Sequence, residues 1–161
     1  MSEPITAALS RLETFCGSKE SLHLVRTPAT LAETVAAPPS FRAFVQSHGY
    51  FHVTHGESPD SGHICIGLFA PEPLGNAALD NAWGDEADQA LAFQRADDDA
   101  VDNFHCFNPL VDLGDGEWPV VTAYHDEELA LPTEPTGNDR TFEAHLVAVI
   151  DKFIEIYGDE R

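Results

Sequence analysis

Between Thr141 and Gly158 the apolar residues Phe142, Leu146, Val149, Ile150, Phe153, Ile156 and Tyr157 recur at spacings of three and four. The spacing predicts an amphipathic helix, capped by Thr141 and stopped at Gly158. A helix with so broad an apolar stripe must bury it against a second layer. The residues that can supply that layer lie upstream, where the period changes. Tyr50 to His55 and His63 to Ala70 are rich in β-branched and aromatic residues, and the Gly/Ser/Pro/Asp stretch at 56–62 between them predicts a β-hairpin. Residues 101–107 and 118–125, on either side of Gly114-Asp115-Gly116, predict another strand pair, with Trp118 opening its second strand. The expectation is an α+β fold, a single domain over residues 1–161. In it an antiparallel sheet, built mainly from 50–70 and 101–125, is flanked by helices. Phe142, Leu146, Val149, Ile150 and Phe153 are expected to dock the last helix on that sheet.

Ile5, Ala8, Leu9, Leu12, Phe15 and Cys16 form a similar stripe, so a helix is expected from Pro4 to Cys16, ended by Gly17. Residues 21–26 read as a strand or a connector. Thr27 to Val35 reads as a capped helical turn stopped by Pro38-Pro39, after which Ser40 can cap a short helix over 41–47 that Gly49 releases. Residues 71–83 read as loop and 85–93 as a short helix capped by Asp85.

A chain of 161 residues with 43% hydrophobic and 22% charged residues has a globular composition. It can bury roughly 70% of the surface that the unfolded chain exposes, without help from disulfides or metals. Cys16, Cys65 and Cys106 are widely spaced and lack a Cys-x-x-Cys pair, so each reads as a small buried hydrophobe. No run reaches the ~18 apolar residues of a membrane span, and Met-Ser-Glu-Pro carries an acid where a secretory signal places Lys or Arg. A cytoplasmic protein is expected.

The formal net charge of −20 is unevenly placed. Residues 1–56 hold four acids and four bases, whereas residues 57–139 hold 19 acids and one base, Arg95, for a net of −18. Such a field repels phosphate backbones and anionic lipids and steers basic proteins inward. Within it Asp97, Asp98, Asp99, Asp102 and Glu117 are the candidate partner-binding carboxylates, with Trp83, Trp118 and Tyr124 as candidate aromatic anchors. The competing reading is a charged surface that only maintains solubility.

Chemistry is harder to find. His48, His52, His55 and His63 lie within 16 residues, and His48 and His52 have the spacing of zinc ligands on a helix. Gly49 interrupts that spacing, and the following residues favour a strand on which His55 points away from His52, so no metal is expected. Cys65 and Cys106 fall inside predicted strands, where a thiol is buried and inert, and His105 should face away from Cys106. Asp97-Asp98-Asp99 with Asp102 lacks the spaced ligands of a calcium loop. No nucleophile elbow, phosphate loop or dinucleotide fingerprint occurs. Neither catalysis nor a cofactor is expected.

Two stretches resemble the SUKH superfamily. One runs from Pro28-Ala29-Thr30 through Pro38-Pro39-Ser40-Phe41-Arg42-Ala43-Phe44-Val45 to His48-Gly49. The other comprises Phe104 to Phe107, Gly114-Asp115-Gly116-Glu117-Trp118, Val120-Val121 to His125-Asp126, and Thr141 to Leu146. The resemblance covers residues 27–155, with a shortened first half and an inserted 71–95. It implies an antiparallel sheet flanked by helices and a binding function without catalytic residues: a bacterial immunity protein that neutralises a toxin, often a nuclease, or a regulator like the fungal cell-wall-synthesis member. Resemblance and charge together lead us to expect a non-enzymatic immunity protein for a basic toxin domain. The alternatives are a regulatory adaptor for a cellular protein and a metal-dependent hydrolase using His48, His52 and His63.

Overall fold

The computed structural model describes residues 3–77, 83–84, 88–95, 103–124 and 127–159. Its centre is a six-stranded antiparallel sheet in which spatial order equals chain order. The elements are α1 (Glu3–Gly17), β1 (Leu22–Thr27), α2 (Pro39–His48), β2 (Tyr50–Ser58), β3 (Ser61–Pro73), the single turn α3 (Leu74–Ala77), β4 (Leu91–Arg95), β5 (Phe104–Phe107), β6 (Val120–Ala123) and α4 (Phe142–Gly158). The α+β class and the antiparallel sheet are as expected.

Alternation along the strands divides the core in two. Phe51, Val53, Ile66 and Phe107 meet α1, α2 and α4 in the larger cluster. On the other face Ala92, Phe104, Cys106 and Ala123 pack with Leu74, Trp83 and Leu131. In α4, Phe142, Leu146, Ile150 and Phe153 are buried as the stripe predicts, while Val149 is half-buried and Ile156 exposed. Thr141 caps the helix, its hydroxyl accepting from the Ala144 N–H at 3.4 Å. Five phenylalanines, Phe41, Phe44, Phe93, Phe107 and Phe142, join α2, the sheet and α4, mostly edge to face, with Phe93 and Phe107 stacked at 4.0 Å.

Several local readings change. Residues 28–35 form no helix; they contain only a turn closed by Val35 N–H to the Ala32 carbonyl at 3.1 Å. The segment is too short to offset helix nucleation, and the residues before Pro38 and Pro39 are held extended. Arg42 of α2 ties the turn down, donating to the carbonyls of Ala32 and Val35. Helix α2 begins at Pro39 with Pro38 as N-cap, so Ser40 lies inside the first turn and is not the cap. Residues 91–93, expected at the end of a helix over 85–93, belong instead to a strand over 91–95, since the alanine-rich local propensity yields to pairing with β3 and β5. Trp118 and Pro119 precede β6, which starts at Val120. The 56–62 turn tightens to Pro59-Asp60, with Gly62 at φ 108° in the left-handed region.

Two β-bulges alter the alternation of side chains beside α4. Val53 pairs with Ile66 and Thr54 with Ile64, which leaves Cys65 as the extra residue; likewise Ala92 pairs with Cys106 and Gln94 with His105, which leaves Phe93. A bulge turns successive side chains to one face. Phe93 and Gln94 consequently both meet α4.

Candidate functional site

The acidic belt is the site the charge distribution singles out. Asp97, Asp98, Asp99 and Asp102 lie outside the described residues. Of the described acids between 57 and 139, Glu57, Asp60, Asp88, Asp112, Asp115, Glu127, Glu128 and Glu134 are exposed. Asp112 shapes its own turn, Oδ1 accepting from the N–H groups of Gly114 at 2.8 Å and Gly116 at 3.2 Å.

Glu117 is committed within the fold. Its carboxylate accepts from the Ser40 N–H at 3.1 Å and the Ser40 hydroxyl at 2.9 Å, across 77 residues. It thereby satisfies the first turn of α2, whose N-cap Pro38 provides no side-chain hydrogen bond. Replacing Glu117 by Ala should lower stability by about 0.5 to 2 kcal/mol, the cost of losing a cap. Chemical denaturation measures it, and an unchanged midpoint would remove Glu117 from this role. Trp118 is half-buried against the larger core with its ring 6.3 Å from Phe107. Trp83 is fully buried and donates Nε1–H to the Tyr124 carbonyl at 2.8 Å. Of the three candidate anchors only Tyr124 is exposed, at 49%.

The histidines of the hydrolase alternative are separated by the sheet. His48 ends α2 against Phe44, and its Nε2 is buried without a partner; burial, then Arg26, lowers its pKa. His52 borders a groove on the face away from α4, whereas His63 meets Tyr157 of α4 at 3.1 Å. Among the described residues no group of three His, Cys, Asp or Glu could hold a metal ion. All three cysteines are buried thiols outside any disulfide, and burial pushes Cys16 and Cys106 up to about 11 and about 12. Cys106 and His105 face opposite sides, as strand alternation requires.

A pair that the spacing of the sequence does not single out is His105 with His145. Their rings are 4.5 Å apart; Nδ1 of His105 meets the Thr122 hydroxyl at 3.0 Å, and His145 Nε2–H donates to Gln94 Oε1 at 2.8 Å. Burial pushes His105 down to about 4, and burial with the neighbouring His105 and Arg140 pushes His145 down to about 3. Both imidazoles are neutral at physiological pH. The available signal is His145 standing in the apolar stripe of α4; nothing local announces Gln94, which reaches that face through the bulge.

No family model, curated protein or solved structure matches the chain. Among the described residues no helix is long and apolar enough to cross a membrane.

Proposed function

We propose that this chain is a non-enzymatic cytoplasmic binding protein, an immunity protein that neutralises a basic toxin domain through its acidic middle. The observation that carries the reading is the net charge of −18 confined to residues 57–139. A protein that must occupy the basic cleft of a nucleic-acid-degrading toxin gains association rate from such a field. The exposed carboxylates among the described residues support it, as do the Cys16 and Cys106 thiols, which burial holds in the uncharged form, away from the thiolate that nucleophilic work needs. The SUKH resemblance supplies the toxin as the class of partner. With Glu117 engaged by Ser40 and Trp118 by the core, the proposed contacts shift toward Asp97, Asp98, Asp99, Asp102 and Tyr124.

Reversal of Asp97, Asp98 and Asp99 to lysine should slow association with the product of an adjacent toxin-bearing gene and flatten its salt dependence. Exposed charges are screened over about 8 to 10 Å at physiological salt. The measurement is stopped-flow association at low and high salt, alongside survival of cells expressing the toxin. A tight complex whose rate ignores both salt and reversal would move the interface to the electroneutral first third. A partner of cellular origin, with no toxin neighbour, would favour the regulatory adaptor.

A further inference from the structure

Two of the eight lysines and arginines in this chain stand at one cavity of about 430 Å³, and among the described residues no acid lines it. The cavity lies between α4 and the sheet. Gln94, His105 and Thr122 line it from β4, β5 and β6, and His145, Val149 and Phe153 line it from α4. Val120, Ile66 and Ile156 add apolar surface, and Arg140 and Lys152 complete the charged part of the lining. The nearby acids are occupied elsewhere or weakly held. Asp139 accepts from the Thr136 N–H and hydroxyl, and Asp151 pairs with Arg11 at 2.8 Å. Glu155 reaches Lys152 at 3.8 Å, but both side chains are about two-thirds exposed, so that pair competes little.

The volume falls within the range of pockets that enclose small molecules, and the lining has their usual make-up of apolar walls with a few convergent polar groups. The two imidazoles are uncharged there, so they add hydrogen bonding and leave neutralisation of a ligand to the cations. We propose that this cavity binds a small amphiphilic carboxylate, an aryl or medium-chain alkyl acid, whose apolar body lies against Val120, Val149 and Phe153 and whose carboxylate is held by Arg140 and Lys152. No described acid lines the cavity, and the inference goes beyond the partner-binding reading.

The test is calorimetric titration of the full chain with phenylbutyrate and octanoate, using phenylbutanol and octanol as uncharged counterparts. Both carboxylates should bind saturably, about tenfold more tightly than the alcohols, and should move the ring resonances of His105 and His145. Arg140 and Lys152 are exposed, so the Arg140→Gln/Lys152→Gln variant should keep its melting temperature, lose the preference for the acid and retain the alcohols. Ala148→Phe, which fills the half-buried wall, should abolish binding of all four; should that variant fail to fold, the glutamine pair decides. The proposal is overturned if neither carboxylate binds folded wild type, if acid and alcohol bind equally, or if the glutamine pair leaves the preference intact.

Discussion

Replacing Phe142 by alanine should cost about 3 to 5 kcal/mol, the range for truncating a buried phenylalanine in a core that cannot collapse around the gap. Phe142 is wholly buried at the first turn of α4 and touches the rings of Phe41, Phe44, Phe93 and Phe107. Those four belong to α2, β4 and β5, elements fixed by their own pairings, so little rearrangement is open to them. The loss is a large part of a total stability of roughly 5 to 15 kcal/mol. Ile156→Ala, on the same helix but 46% exposed, is the control and should change stability by far less. Urea unfolding of both variants checks the expectation. Equal losses would mean that α4 does not dock by the face described.

The second large effect is a loss of stability in mild acid, caused by His105 and His145. Their folded pKa values of about 4 and about 3 lie below the ordinary 6.5. Between those limits the unfolded chain binds protons that the native chain refuses, so stability rises with pH across the window and falls as pH drops below about 6.5. Above 6.5 both states hold the rings neutral and the contribution is flat. Every tenfold weakening of proton binding on folding is worth about 1.4 kcal/mol, so the pair withdraws several kcal/mol by about pH 4. An opposing effect acts in the same range, because the repulsion among the acids relaxes as pH approaches the isoelectric point near 4.4. High salt screens that repulsion and leaves the buried pair. Denaturant unfolding from about pH 7 to 4 in high salt should therefore show falling stability, and His145→Gln should flatten the slope. A slope that His145→Gln leaves unchanged would assign the acid sensitivity to other groups.

Which elements are legible in the sequence depends on which forces act locally. The stripes of α1 and α4 are legible because each helix offers one broad face to the core, and period carries that information. The hairpin of β2 and β3 is legible for the same reason. Strand β4 is not: Ala90-Leu91-Ala92-Phe93 favours a helix by itself, and only pairing on both sides makes it a strand. The 28–35 segment misleads in the same direction, toward a helix, since the Arg42 contacts that hold it are made by a residue on the next element. The candidate site divides similarly. Charge can be counted in a sequence, so the acidic belt is visible, but the attachment of Glu117 to Ser40 is a long-range contact that counting does not reveal. The cavity beside α4 depends on a bulge, and a bulge has no simple sequence signature here. No glycine marks Phe93.

A sheet whose strands lie in chain order can be assembled in the order in which the chain is made. Each strand pairs with its predecessor, so no pairing waits for a strand made later, and the longest connection, between β1 and β2, contains α2. The helical layer obeys a different schedule. Helix α1 contacts α4 through Arg11 and Asp151, 140 residues apart, and through Phe15 and Phe153. During synthesis the sheet can therefore grow strand by strand while its larger apolar face and the inner side of α1 stay open. They close together only when α4, the last described element, leaves the ribosome.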